Sequence, residues 1–186
     1  MNNAEHFFTK AHAFHTQGQF LLSALYADST LWADSAYRKH LSGLMGAYPQ
    51  AFEHYTALLA AAKTHALAAR QRAYAPFSNF LVGATLIADD ETPVVGCNVE
   101  ASSYGLTVCA ERTALVSGVA QGKKRFVCVV VAADTPVLTP PCGACRQMLY
   151  DFAPDALVVL VNPHGAERRF TMQELLPEAF SIAFLR

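Results

Sequence analysis

Three cysteines, Cys109, Cys142 and Cys145, stand at the predicted starts of two helices, each following apolar strand material. A helix start exposes unpaired N–H groups and the positive end of the helix dipole, and both favour a thiolate. Cys142 and Cys145 are three apart and share a face of the first helical turn. Side chains lean back toward a helix N-terminus, so both aim at a point in front of it. A fold in which the two helix starts face each other brings all three sulfurs to one place.

The surrounding periodicity supplies a sheet for those helices. Phe80 to Ile87 and Val94 to Cys97 read as two strands, joined by a turn through Asp89, Asp90 and Glu91. A helix from about Thr107 to Gly122 follows. Phe126 to Ala133 is a near-continuous apolar run, the signature of a strand covered on both faces. A second helix occupies about Cys142 to Phe152, and Leu157 to Val161 is another buried strand. A polar turn at Asn162 to Glu167, a short strand at Arg168 to Phe170 and a brief helix at Met172 to Leu176 close the chain. Alternating strands and helices predict an α/β class fold with helices on both faces of the sheet. Upstream, an Ala-rich helix runs from Pro49 to about Tyr74. The first 50 residues, rich in Ala, His, Leu and aromatics, read as an N-terminal extension of two or three short helices. The expected domains are thus an extension, 1–50, and an α/β domain, 51–186.

Composition narrows the partners. At 186 residues with 53% hydrophobic and 16% charged residues, the chain has the material for one sizeable core, with a surplus for subunit contacts. Its apolar runs are short, and none reaches the roughly 18 to 20 residues that span a bilayer. Formal net charge is −1, and Lys and Arg are scattered apart from Lys123-Lys124-Arg125. Polyanion binding draws on a basic surface, so small neutral ligands are expected rather than nucleic acid. Five cysteines are an odd number, and no export signal precedes them, which argues against a disulfide framework and for a cytoplasmic location. Cys97 and Cys128, away from helix starts, are read as plain buried thiols. The histidines fall mostly in the first 65 residues, and His164 lies in a turn without reason to reach the cysteines.

Three thiolates around one cation suit zinc, which takes sulfur ligands in tetrahedral geometry. Three protein ligands leave a fourth position open, the arrangement of a catalytic rather than a structural site. Glu111, two residues from Cys109 at the helix mouth, can serve as general acid and base toward a water held there. Arg112 can hydrogen-bond a thiolate and offset the negative charge that three sulfurs bring.

The succession of a ligand, then x-Glu, then Pro-Cys-x-x-Cys is the pattern already described for zinc deaminases of nucleobases. The longer wording around it resembles the small homotetrameric cytidine deaminases. It comprises Pro76-Phe77-Ser78-Asn79-Phe80-Leu81-Val82-Gly83-Ala84, Gly96-Cys97-Asn98-Val99-Glu100, Val108 to Ala114 and Pro141 to Gln147. The resemblance spans about Ala73 to Phe180. It implies a three-layer α/β/α sandwich with a mixed central sheet, one zinc ion per subunit, and hydrolytic deamination of cytidine and 2'-deoxycytidine in pyrimidine salvage. It implies that Asn98 and Glu100 bind the ribose hydroxyls, that Phe80 packs near the nucleoside, and that backbone groups at Ala110 and around Cys142 read the base. Tyr104 and Phe180 match positions that complete a neighbouring subunit's site, which implies a homotetramer with shared active sites. The sequence departs from the family in having Ala101-Ser102 where Asn-Ala is frequent, in its N-terminal extension, and in ending six residues after Phe180. Three alternatives stand beside this reading: a deaminase of a modified cytosine nucleoside of the blasticidin-S type, an editor of RNA or single-stranded DNA, and a non-catalytic zinc-stabilised scaffold.

Overall fold

Successive residues of a strand face opposite sides of a sheet, and two glycines on adjacent strands show which helix covers each side. In the computed structural model, which describes residues 49–185 together with Glu5, Phe7, Thr9 to Ala11, Ala13, Tyr26 and Ala27, strand β1 is Val82–Ala88 and β2 is Pro93–Cys97. They pair antiparallel, with Gly83 opposite Cys97 and Ala84 opposite Gly96. A Cβ on Gly83 would collide with the carbonyl oxygen of Ala66 and the backbone of Arg70, both in helix α1, Pro49–Arg70. A Cβ on Gly96 would collide with Ala110 and Ala114 of helix α2, Ala110–Ala120. The two helices therefore lie on opposite faces, and each glycine is required for its close approach.

The sheet has five strands in the order β2-β1-β3-β4-β5, where β3 is Phe126–Ala133, β4 is Leu157–Val161 and β5 is Glu167–Thr171. β3 pairs antiparallel with β1 and parallel with β4, and β5 returns antiparallel to β4, so the sheet is mixed. The β3-to-β4 crossover carries helix α3, Gly143–Phe152, and the short helix α4, Met172–Leu175, follows β5. A core of Ala84, Leu86, Val129, Val131, Val158 and Leu160 packs beneath Ala114, Leu115 and Leu149 of α2 and α3. Every residue of β3 and β4 is buried, as their unbroken apolar runs predict.

On the other face, Thr85, Val130, Val159 and Arg169 form one row across the strands. Arg169 is buried and donates to Glu167 at 2.5 Å, which in turn accepts from Lys63 of α1 at 2.5 Å. Burial opposes ionisation of Glu167, but Arg169 and Lys63 outweigh it and hold its carboxyl below the usual range.

The molecule divides into two compact units, Met1–Ala60 and Ala61–Arg186. In the first, the rings of Phe7 and Tyr26 meet edge to face at 5.9 Å, and both are fully buried. The described residues between 5 and 27 are helical; the remainder of the expected two or three helices lies outside the described residues. Among the described residues, no helix is long and apolar enough to cross a membrane.

Several element ends differ from expectation, each for a local reason. α1 stops at Arg70 rather than near Tyr74, because Gln71 to Ala73 turn and Tyr74 pairs with Val99. β1 starts at Val82 rather than Phe80, because the backbone of Phe80 bonds to the side chains of Ser78 and Asn98. α2 starts at Ala110 rather than near Thr107, because Val108 is held in a bridge to Val99. β5 is longer than expected at both ends. Cys128 is fully buried as expected, whereas Cys97 is only half-buried and directs its thiol to the Arg72 carbonyl.

Candidate metal centre and active site

Cys109 and Cys142 occupy the N-cap positions of α2 and α3, both with extended backbone (φ −71°, ψ 155° and φ −67°, ψ 166°). Neither side chain caps its own helix, so both sulfurs are left to point elsewhere. Cys145 lies in the first turn of α3 and is buried. The three sulfurs fall within 4.8 Å of one another, and Cys109 and Cys142 are 3.8 Å apart. Tetrahedral zinc with sulfur at about 2.3 Å sets its ligands about 3.8 Å apart, so spacing and donor chemistry fit one zinc ion.

Cys109 and Cys145 perturb each other. Hydrogen bonds from Cys145, Cys142 and Arg112 bring Cys109 down to about 5. The same pairing with Cys109, together with burial, holds Cys145 far above the usual thiol range. Arg112 also donates to the Thr107 carbonyl at 2.8 Å, which fixes the guanidinium beside the cluster. Thr107 in turn accepts the Ala101 amide on its hydroxyl, so the departing Ala101 is anchored through its backbone.

Glu111 is the second residue of α2 and only 4% exposed. Burial is the main cause that pushes its carboxyl up to about 7, with the Cys109 charge adding to it. It shares a hydrogen bond with Cys145, which sets it against the sulfur cluster. A carboxyl poised near neutrality and buried beside a metal can both take and return a proton. Ala110, the first residue of α2, is fully buried at the same mouth.

Asn98 and Glu100 lie just past the end of β2, and both are buried. They hold the loop that precedes β1. Asn98 Nδ2 donates to the Phe80 carbonyl and Asn98 Oδ1 accepts from the Val82 amide, each at 2.8 Å. Glu100 accepts from the Phe77 amide at 2.8 Å, the Ser78 amide at 3.2 Å and the Ser78 hydroxyl. Phe80 leaves 41% of its surface exposed beside this network. Tyr104, 67% exposed, meets Phe77 edge to face at 5.6 Å; Phe180, 56% exposed, stacks on Phe184 at 5.7 Å. The structure therefore gathers the cysteines, Ala110, Glu111 and Arg112 at one centre. It gathers Asn98, Glu100 and the backbone of Phe80 at a second, and leaves Tyr104 and Phe180 exposed in the single chain.

Four residues with no assigned role emerge as supports: Ser78, Thr107, Arg146 and Gln147. Arg146 of α3 bonds the Pro141 and Leu175 carbonyls, each at 2.8 Å, so it clamps the turn before Cys142 to the end of α4. Gln147 holds the Phe180 carbonyl at 2.8 Å. Arg146 and Gln147 directly follow Cys145 within the cysteine-bearing motif, a signal that their side chains brace the metal helix.

Comparison with known proteins reaches the same region. Residues 58–161, more than half of the chain, match the family described as the cytidine and deoxycytidylate deaminase zinc-binding region. A cytidine deaminase of Halalkalibacterium halodurans is 47% identical over 117 residues, covering 62% of this chain and 89% of the relative. A crystal structure of cytidine deaminase from Burkholderia pseudomallei superposes with a TM-score of 0.63 at 47% identity, covering 64% of this chain and 97% of that one. A blasticidin-S deaminase of Bacillus cereus is 33% identical over 104 residues, covering 52% of this chain and 74% of the relative.

Proposed function

The chain belongs to the cytidine and deoxycytidylate deaminase zinc-binding family, and from that premise we propose that it hydrolyses cytidine and 2'-deoxycytidine to the uracil nucleosides with release of ammonia. The observation that carries this reading is the buried carboxyl of Glu111, set at the same helix start as Cys109, whose sulfur is one of three spaced for zinc. Cys109, Cys142 and Cys145 would hold a zinc ion, which would supply Lewis acidity that lowers the pKa of a water toward neutrality. Glu111 takes the proton from that water and delivers it to ring N3 as oxygen adds to C4. It then carries the proton of the new C4 hydroxyl to the exocyclic amine; the C4–N bond breaks, a carbonyl forms at C4, and ammonia leaves. The Arg112 guanidinium offsets the thiolate charge that would otherwise oppose the developing negative charge.

In this reading Asn98 and Glu100 bind the ribose, Phe80 lies against the nucleoside, and the backbone at Ala110 and Cys142 reads the base. Tyr104 and Phe180 reach the site of a neighbouring copy in a homotetramer. Exposed Tyr104 and Leu106 in one segment, and Phe180, Ile182, Phe184 and Leu185 in another, support the last point, since exposed apolar side chains are material for subunit contacts. Residues 1–50 are then an extension on a catalytic domain, 51–186, and the enzyme serves pyrimidine salvage in the cytoplasm.

The similarity to a blasticidin-S deaminase supports a second reading, a modified cytosine nucleoside as substrate. Retention of both Asn98 and Glu100 favours the plain nucleoside. The test is conversion of cytidine, 2'-deoxycytidine and blasticidin S in parallel, followed by ultraviolet absorbance with bound zinc quantified. Turnover of the two plain nucleosides with about one zinc per chain is expected; turnover of blasticidin S alone would transfer the assignment to the second reading. Zinc binding with no turnover of any substrate would leave the scaffold reading in its place.

A further inference from the structure

A buried carboxylate is costly unless its oxygens are paired, and the partners it finds reveal what it is built into. Glu100 is 8% exposed, and every hydrogen bond given above to its side chain comes from Phe77 and Ser78. Ser78 has a single hydroxyl proton, which it gives to Glu100 Oε1; Ser78 Oγ itself accepts from the Phe80 amide at 3.0 Å. Ser78 thereby joins the carboxylate to the backbone that carries the Phe80 ring. The chain can make this contact because Asn79 adopts φ 55° and returns its amide to the Ala75 carbonyl at 3.0 Å. Asn98 fastens the far side of the same loop through Phe80 and Val82.

The donor arithmetic leaves room for a ligand. Each carboxylate oxygen carries two lone pairs, and an amide nitrogen carries two protons. Glu100 Oε1 keeps an acceptor site after bonding Ser78, and Asn98 Nδ2 keeps a donor after bonding Phe80. Consistent with this, the Ser78 hydrogen bond is the largest influence holding the Glu100 carboxyl below its usual range, against the effect of burial.

We propose that Ser78 is a positioning residue for sugar recognition, its hydroxyl setting the rotamer of Glu100 and, through the Phe80 amide, the placement of the Phe80 ring. It touches neither the base nor the reacting atoms. It couples the group that reads a ribose hydroxyl to the ring that packs on the nucleoside, so the two respond together. This rests on the assignment of Asn98 and Glu100 to the ribose made under the proposed function.

The experiment compares wild type, Ser78→Ala and Ser78→Thr on cytidine and on 2',3'-dideoxycytidine, with zinc content measured for each protein. Binding of the products uridine and 2',3'-dideoxyuridine is measured calorimetrically alongside. Ser78→Ala is expected to raise KM for cytidine about tenfold, the loss of one hydrogen bond to a charged group, with kcat within about twofold. The effect is expected to shrink on the dideoxy substrate, which has no 2'- or 3'-hydroxyl for Glu100 to read, and the loss that remains there is the share acting through the Phe80 ring. Ser78→Thr restores the hydroxyl and is expected to recover most of the cytidine KM. Uridine affinity should follow the same pattern. An equal loss on both substrates, or a fall in kcat at unchanged KM, would overturn the proposal while wild-type turnover leaves the deaminase reading intact. If wild type turns over neither substrate and uridine binds no better than dideoxyuridine, both readings fall together.

Discussion

At the thiolate end, Cys109 and Cys142 are helix N-caps and Cys145 follows within the first turn, so the start points of α2 and α3 place all three sulfurs. At the sugar end, Asn98 and Glu100 lie beyond β2 and are placed by hydrogen bonds to Phe77, Ser78, Phe80 and Val82, up to 23 residues earlier in the chain. Regular backbone aims the first set, and a loop aims the second. The thiolate end should therefore fail abruptly when one ligand is lost, and the loop end should weaken by degrees.

The largest effect that sharpens this contrast is Cys142→Ser. Bound zinc should fall from about one per chain to near zero, with deamination at background, because a neutral hydroxyl replaces a thiolate that also bonds Cys109. Metal analysis and the ultraviolet assay read both; retained zinc with partial activity would show the thiolate end to be as tolerant as the loop.

Next comes Gly96→Val, at the point where β2 meets α2 just before Asn98. Its side chain has no space against Ala110 and Ala114, so α2 must shift or the domain must unfold. A loss of about 3 kcal/mol or more is expected in denaturant unfolding, at or above the upper end of the range typical of overpacking, because the clash is with backbone. Smaller again is Asn98→Ala, expected to raise KM for cytidine about ten- to a hundredfold with little change in zinc, since it removes one loop clasp and one proposed ligand contact. The smallest is Arg112→Gln, with a loss of about tenfold in zinc affinity by competition with a chelating dye, because the guanidinium supports ligands without being one.

What the sequence made legible follows the same division. Cys142 and Cys145 are legible because positions three apart at a helix start share a face, and Cys109 with Glu111, two apart at the other helix start, complete a known zinc-deaminase pattern. Unbroken apolar runs marked β3 and β4 to the residue. Ser78 carried no such signal: its partner Glu100 is 22 residues away, and nothing in the word Phe-Ser-Asn-Phe says that the hydroxyl will turn toward it. Gln147 and Phe180 are 33 apart and meet only because α3 packs near the chain's last segment. The misplaced starts of β1 and α2 have the same origin, since Phe80 and Val108 are diverted by partners distant in sequence and propensity does not register them.

The measurement closest to the centre of this picture is the activity of Glu111→Gln on cytidine, with bound zinc quantified in the same samples. Glutamine keeps the size of the side chain and its place in α2 but cannot carry a proton between water, ring nitrogen and leaving amine. A fall in kcat of about a hundred- to ten-thousandfold, with zinc unchanged at about one per chain, is the expected result. Turnover within a few-fold of wild type, with zinc retained, would contradict the assignment of the proton shuttle to Glu111.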